Sequence, residues 1–179
     1  AAPETQALFE ALPRRLEATG ARPRAVELPD DFRGIADDQG TIWTYEIARC
    51  LADEHGRHRD RIRGVPLRQM LDAGAAMDVA EVDEARARVA ACRAGLPDAF
   101  HGLDALLVPA APGEAPALAA TGDPILNRVW SALGGPAVAV PAGWGPSGLP
   151  LAVQVVGRPG DDARVLAAAA WVASALRPA

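Results

Sequence analysis

Apolar positions obey two different rules along this chain. Through residues 1–100 they recur at three- to four-residue spacing, the period of a helix with one buried face; in residues 101–179 they gather into short unbroken runs. Pro3 and Glu4 open a first predicted helix with Leu8, Leu12 and Leu16 on one face, closed by Gly20 and kinked at Pro13. Ala25 to Leu28 reads as a short strand stopped by Pro29. A second helix is expected from about Thr41 through Ile47 and Leu51 towards Gly56, which breaks it. Pro66 starts a third, carrying Leu67 and Leu71. Asp78 with Glu81 resembles a capping box, opening a helix with Val82, Val89 and Ala90 that runs to about Ala94.

In the second regime, ALLVPAA (Ala105 to Ala111), AVAV (Ala137 to Val140) and LAVQVV (Leu151 to Val156) have the unbroken apolar character of strands buried on both faces. Asp161 or Asp162 is expected to cap a last helix, with Val165, Ala169, Val172 and Leu176 on one face. The Gly- and Pro-rich segment from Pro112 to Gly122 is the expected flexible loop. Helices alternating with buried strands predict an α/β fold: one unit over residues 1–179, a mixed central sheet flanked by helices, with the three apolar runs as neighbouring strands.

Composition narrows the partners. Half of the residues are hydrophobic, enough for a sizeable core, and the net charge of −5 argues against nucleic acid or an anionic membrane. Val165 to Leu176 is about a dozen apolar residues, short of the ~20 that span a bilayer. Cys50 and Cys92 form no paired motif, which favours a reducing, cytoplasmic setting; Cys50, on an apolar helix, is expected in the core. No signal peptide is visible. The chain opens at Ala1 directly in helical pattern, as expected of a piece of something longer or of a processed product.

Candidate chemistry is sparse. The serines are Ser131, Ser147 and Ser174, and none sits in the glycine-flanked elbow that presents a nucleophile. All 18 basic residues are arginine, so no lysine is present to act as a base. Asp53, Glu54, His55 and His58 crowd together in DEHGRH, and His101 would offer a third imidazole for a metal. Gly56 interrupts that helix where rigid ligands need support, so a solvated helix end is the simpler expectation, with no metal or other cofactor. Arg57, Arg59, Arg61 and Arg63 read as a solvated or ion-paired surface, with an anion site as the alternative. The parts of a pocket wall lie further on: Trp130 as a flat surface with one N–H donor, Asn127 as donor and acceptor, Ser131, and the Gly135–Pro136 link that admits close approach. A tight helix-to-strand junction explains the same residues without a ligand.

Three segments then carry a resemblance. Asp104, Leu106, Leu107 and Pro109, with Ala105 as one extra residue, match one strand motif of the amidase signature family. Gly122, Asp123, Pro124, Asn127, Arg128, Trp130, Leu133, Gly134 and Pro136 match its GDPxxNRxWxxLGxP segment, and Gly148, Leu149, Pro150 and Gln154 match the strand that follows. Gly20, Ala21, Leu28 and Pro29 resemble the segment after the family's core. The form resembles small-molecule amidases more than tRNA-dependent amidotransferase subunits.

The resemblance implies the C-terminal part of a hydrolase that cleaves carboxylic amides through a lysine and two serines in a Gly/Ser-rich core. Nothing in this chain matches that core, so no catalytic residue is assigned. Asn127, Trp130, Ser131, Gly135 and Pro136 become the expected substrate-binding surface. The expected partners are an N-terminal amidase segment and a small-molecule amide, with self-association where that segment is missing. Two rival readings are a non-catalytic binding module derived from the fold and a metal-dependent enzyme using His55, His58 and His101.

Overall fold

The structure is a computed structural model describing residues 1–177. In chain order it forms α1 (Pro3–Glu17), α2 (Ile35–Cys50), α3 (Ala52–His58), α4 (Val65–Ala76), α5 (Val79–Ala99), β1 (Leu106–Pro109), α6 (Ile125–Leu133), β2 (Ala137–Trp144), β3 (Pro150–Val156) and α7 (Asp162–Ala175). Contacts divide the chain into two compact units. The first combines residues 1–29 with the chain from Gly95 onward, and the second is Asp30–Ala94.

The first unit is the α/β part. Its strands form one antiparallel sheet in the order β1–β3–β2. Leu106 lies opposite Val156 and Val108 opposite Gln154; Ala137 and Ala139 take the same two partners on the other side of β3. Alternation sorts the side chains: Leu151, Val153 and Val155 of β3 with Val140 and Ala142 of β2 point to one face. There they close a core with Leu8, Leu12 and Leu16 of α1 and Val165, Ala169 and Val172 of α7. Arg15 clasps that layer, donating to the Ala142 carbonyl at 2.8 Å and the Leu176 carbonyl at 3.0 Å. The second face carries Leu106, Gln154 and Val156, with α6 tied to it through Asn127.

Several expectations change. The three apolar runs are neighbours, but the pairing is antiparallel throughout the described residues, not mixed. β2 is not buried on both faces: Ala137, Ala139 and Pro141 are exposed. Residues 25–28 form no strand, having no neighbouring strand to bond. Asp161 stands at the N-cap of α7 without capping it, since its carboxylate takes Arg158 at 2.9 Å. The helix α1 runs through Pro13, and α5 extends to Ala99 through Pro97. Asp78 does accept the Ala80 N–H at 3.0 Å at the start of α5.

The second unit is helical. Its α2 begins at Ile35, six residues before the expected start, and ends at Cys50; Gly56 continues α3 instead of breaking it, and the break falls at Leu51. At Gly74 in α4, a Cβ would meet the Thr44 carbonyl oxygen at 2.1 Å, so α2 and α4 touch backbone to backbone. Asp38, only 8% exposed, accepts a forked pair of bonds from Arg88, with Nη2 at 2.7 Å and Nε at 3.0 Å from Oδ1. Cys50 is exposed, not in the core, since Ala48 takes the buried side of that turn; Cys92 is buried, which pushes its thiol pKa up, with the charges of Asp31 and Asp38 adding to the shift.

Candidate functional site

The expected pocket residues cluster on α6 and the link that follows it. Asp123 starts the helix by accepting the Ile125 N–H at 2.9 Å, and Gly134 stops it at φ 72°, a left-handed cap suited to glycine. That geometry turns the chain sharply into β2. Gly135 then packs against β3's end: a Cβ there would lie 2.4 Å from the Gly157 carbonyl oxygen. The Pro136 carbonyl accepts the Gly157 N–H at 3.0 Å. These two residues therefore make a backbone junction.

Asn127 and Trp130 face inward, while Ser131 is exposed. The Asn127 carboxamide accepts from Gln154 Nε2 at 3.0 Å and donates to the Ala110 carbonyl at 3.3 Å. One side chain of α6 thus ties β3 to the end of β1. The Oε1 atom of Gln154 is buried with no hydrogen-bond partner among the described residues, an unsatisfied acceptor on the α6 side of the sheet. Gln154 is the lone polar residue of LAVQVV, and that interruption of an apolar strand was the available signal for it.

Trp130, 5% exposed, also lines a trough of about 1310 Å³ in the first unit. Leu103, Leu106 and Val108 form one wall, residues 20–26 with Leu28 another, and Trp171 and Val172 of α7 close an end. Arg164, 3.7 Å from the exposed Asp104, lies at the trough. The trough contains no nucleophile–base pair.

Glu114 was not foreseen. Its carboxylate accepts N–H bonds from Ser147 and Leu149, each at 3.0 Å, in the turn joining β2 to β3. Burial opposes its ionisation, but the Ser147 hydroxyl and those two amides outweigh burial and hold its pKa below the ordinary value. A single acid in the Gly- and Pro-rich loop, placed to meet turn amides, was the only sequence hint. Ser147 is thereby bound to a carboxylate whose lowered pKa makes it a weak base.

The candidates from Asp53 to Arg63 belong to the helical unit Asp30–Ala94. His55 Nε2 meets Asp72 Oδ1 at 2.9 Å, and Arg59 meets the other oxygen at 2.5 Å. The Arg59 bond, then the one from His55, holds the Asp72 carboxyl below its ordinary value against the opposing effect of burial. Arg57 pairs with Asp53 at 2.8 Å. Among the described residues no three His, Cys, Asp or Glu side chains gather closely enough to hold a metal ion, and no helix is long and apolar enough to cross a membrane.

The sequence profile of the amidase family matches residues 1–166. The chain belongs to that family. Among curated relatives, a glutamyl-tRNA(Gln) amidotransferase subunit from Rhizorhabdus wittichii is 46% identical over 77 residues, which are 38% of this chain and 16% of that protein. Among solved structures, an amidase superposes on 97% of this chain with a TM-score of 0.89 at 31% identity, using 42% of its own length. The glutamyl-tRNA(Gln) amidotransferase subunit from Thermotoga maritima covers 90% of this chain with a TM-score of 0.63 at 25% identity. A 6-aminohexanoate cyclic dimer hydrolase, 18% identical with a TM-score of 0.81, shares the fold. This chain is an amidase-family piece spanning about 40% of those larger structures.

Proposed function

We propose that this chain is the C-terminal portion of an amidase-signature hydrolase acting on carboxylic amide C–N bonds. It would supply part of the fold's core and one wall of a substrate pocket. The observation that carries this reading is the match to an amidase over 97% of this chain but only 42% of the amidase. The serine pair and the lysine base would come from an N-terminal portion, since this chain contains no lysine. Within it, Trp130 would offer an apolar wall, with Ser131 and the Gly135–Pro136 link beside it, and Asn127 would hold the wall's shape through Gln154 and Ala110. A small-molecule amide fits the largely apolar lining and the chain's net charge of −5 better than a tRNA-borne one. A cytoplasmic location fits the exposed, unpaired Cys50.

Activity separates this from a non-catalytic module. The chain alone should hydrolyse no amide above background, because a general base contributes about 10²–10⁴-fold in rate. Joined behind the N-terminal portion of the matched amidase, it should support turnover. Hydrolysis by the isolated chain that disappears with Ser131→Ala or Ser147→Ala would overturn the reading. A folded but inactive chimera would favour the module.

A further inference from the structure

The strand expected at residues 25–28 and the trough beside it explain one another. β1 is an edge strand, and its two sides can be told apart. The Ala110 N–H donates to the Ala152 carbonyl of β3 at 3.2 Å, so in extended chain Val108 and Leu106 also turn their backbone groups inward. Ala105 and Leu107 therefore point theirs away from β3, along with Pro109, which has no N–H to offer. Proline is tolerated in a strand at such an outward position.

Across the trough runs the segment 22–28. Among the described residues none of its backbone groups bonds to another backbone group, although AVEL has strand character. Both walls are thus extended or strand-prone chain with unmatched donors and acceptors. The space between them is lined by Leu103, Leu106 and Val108 on one side and Ala25, Val26 and Leu28 on the other. At about 1310 Å³ it exceeds the usual small-ligand pocket of about 300–1,000 Å³.

We infer that this trough seats one apolar β-strand supplied by the remainder of the amidase fold. That strand pairs with Leu107 of β1 and with Ala105 just before it on one side, and converts residues 25–28 into a further strand on the other. The inference rests on the function proposed above, and it commits to that occupant for a specific reason. The matched amidase carries more than half of its chain beyond the region shared here, and strand addition satisfies both walls at once. A second copy of this chain has no obvious strand to offer, since both free sheet edges carry an outward proline, Pro109 on β1 and Pro141 on β2.

Amide hydrogen exchange tests it. The probe is a single-chain chimera in which the N-terminal portion of the matched amidase precedes all 179 residues. In the isolated chain, the amides of residues 24–28, Ala105 and Leu107 should exchange close to the rate of unstructured chain. In the chimera the same amides should slow by about 100-fold or more. Protection already present in the isolated monomer would overturn the inference. Protection that rises with concentration would also overturn it, by making a second copy the occupant. A chimera that turns over amide while these amides stay unprotected would overturn the seam and leave the function standing; an inactive chimera with the amides protected would do the reverse. Ala105→Pro removes one outward N–H without touching the β3 ladder, and it should cut the protection of residues 24–28 in the chimera at least tenfold. No change in that variant would count against the pairing.

Discussion

Replacing Gly135 with alanine probes the junction between α6 and the sheet. Its new Cβ would lie 2.4 Å from the Gly157 carbonyl oxygen. Even attractive carbon–oxygen contacts settle near about 3.3 Å, so one backbone has to retreat by nearly an ångström. Gly157 has little room, because its N–H bonds Pro136 and Val165 Cγ2 stands 2.2 Å from where its own Cβ would be. Overpacking of this kind costs about 1–3 kcal/mol, and straining the Gly157–Pro136 hydrogen bond adds up to about 1 kcal/mol. The stiffer unfolded chain returns about 0.4–1 kcal/mol, since Gly135 is not among the positive-φ glycines. The net expectation is a loss of about 1–3 kcal/mol, read as a lower urea midpoint with an unchanged slope. Gly134→Ala is the comparison: nothing lies within 4 Å of its Cβ, so only left-handed strain, about 1–2 kcal/mol, acts there. A Gly135→Ala protein within about 0.5 kcal/mol of wild type would refute the close approach.

Further outcomes follow from other positions. Gly95→Ala, inside α5 with open space around its Cβ, should stabilise the chain by about 0.5–1 kcal/mol in the same urea titration. Glu114 has a pKa held below its ordinary value in the fold. Its contribution is therefore complete above the ordinary carboxylate range and lost as pH falls through the lowered folded value. Glu114→Gln should be less stable than wild type at neutral pH and should lose less of its stability on acidification; parallel pH profiles would count against the link to the turn. The isolated chain, with Trp144 72% and Leu166 61% exposed, should bind a hydrophobic dye and self-associate on a sizing column through these apolar side chains. A dye-silent monomer would contradict this.

The sequence made the sheet legible because its strands are short apolar runs whose character does not depend on what covers them. α1 and α7 were equally plain, since Leu8, Leu12 and Leu16, and Val165, Ala169 and Val172, each mark one face. Boundaries set by local competition were not. Asp161 had a choice between helix amides and Arg158, and took the arginine. Gly56 costs a helix about 1 kcal/mol but does not end it. At residues 25–28 the propensity is present and the partner is not, which no local pattern can reveal. For the site, Asn127 and Trp130 were visible as residue types, whereas the roles of Gln154 and Glu114 depend on partners far away in sequence.

The Arg15 clasp has a consequence for the order of events in folding. Its two acceptors lie 127 and 161 residues downstream. The helix α1 leaves the ribosome long before the groups that cover its leucine face are made. The helical unit Asp30–Ala94 is contiguous and has its own partners within reach much earlier. Each doubling of an intervening loop costs only about 0.6 kcal/mol, so the penalty falls on timing, not on final stability. During that interval Leu8, Leu12 and Leu16 stand uncovered on the nascent chain, where a chaperone or an aggregating neighbour meets them before α7 does.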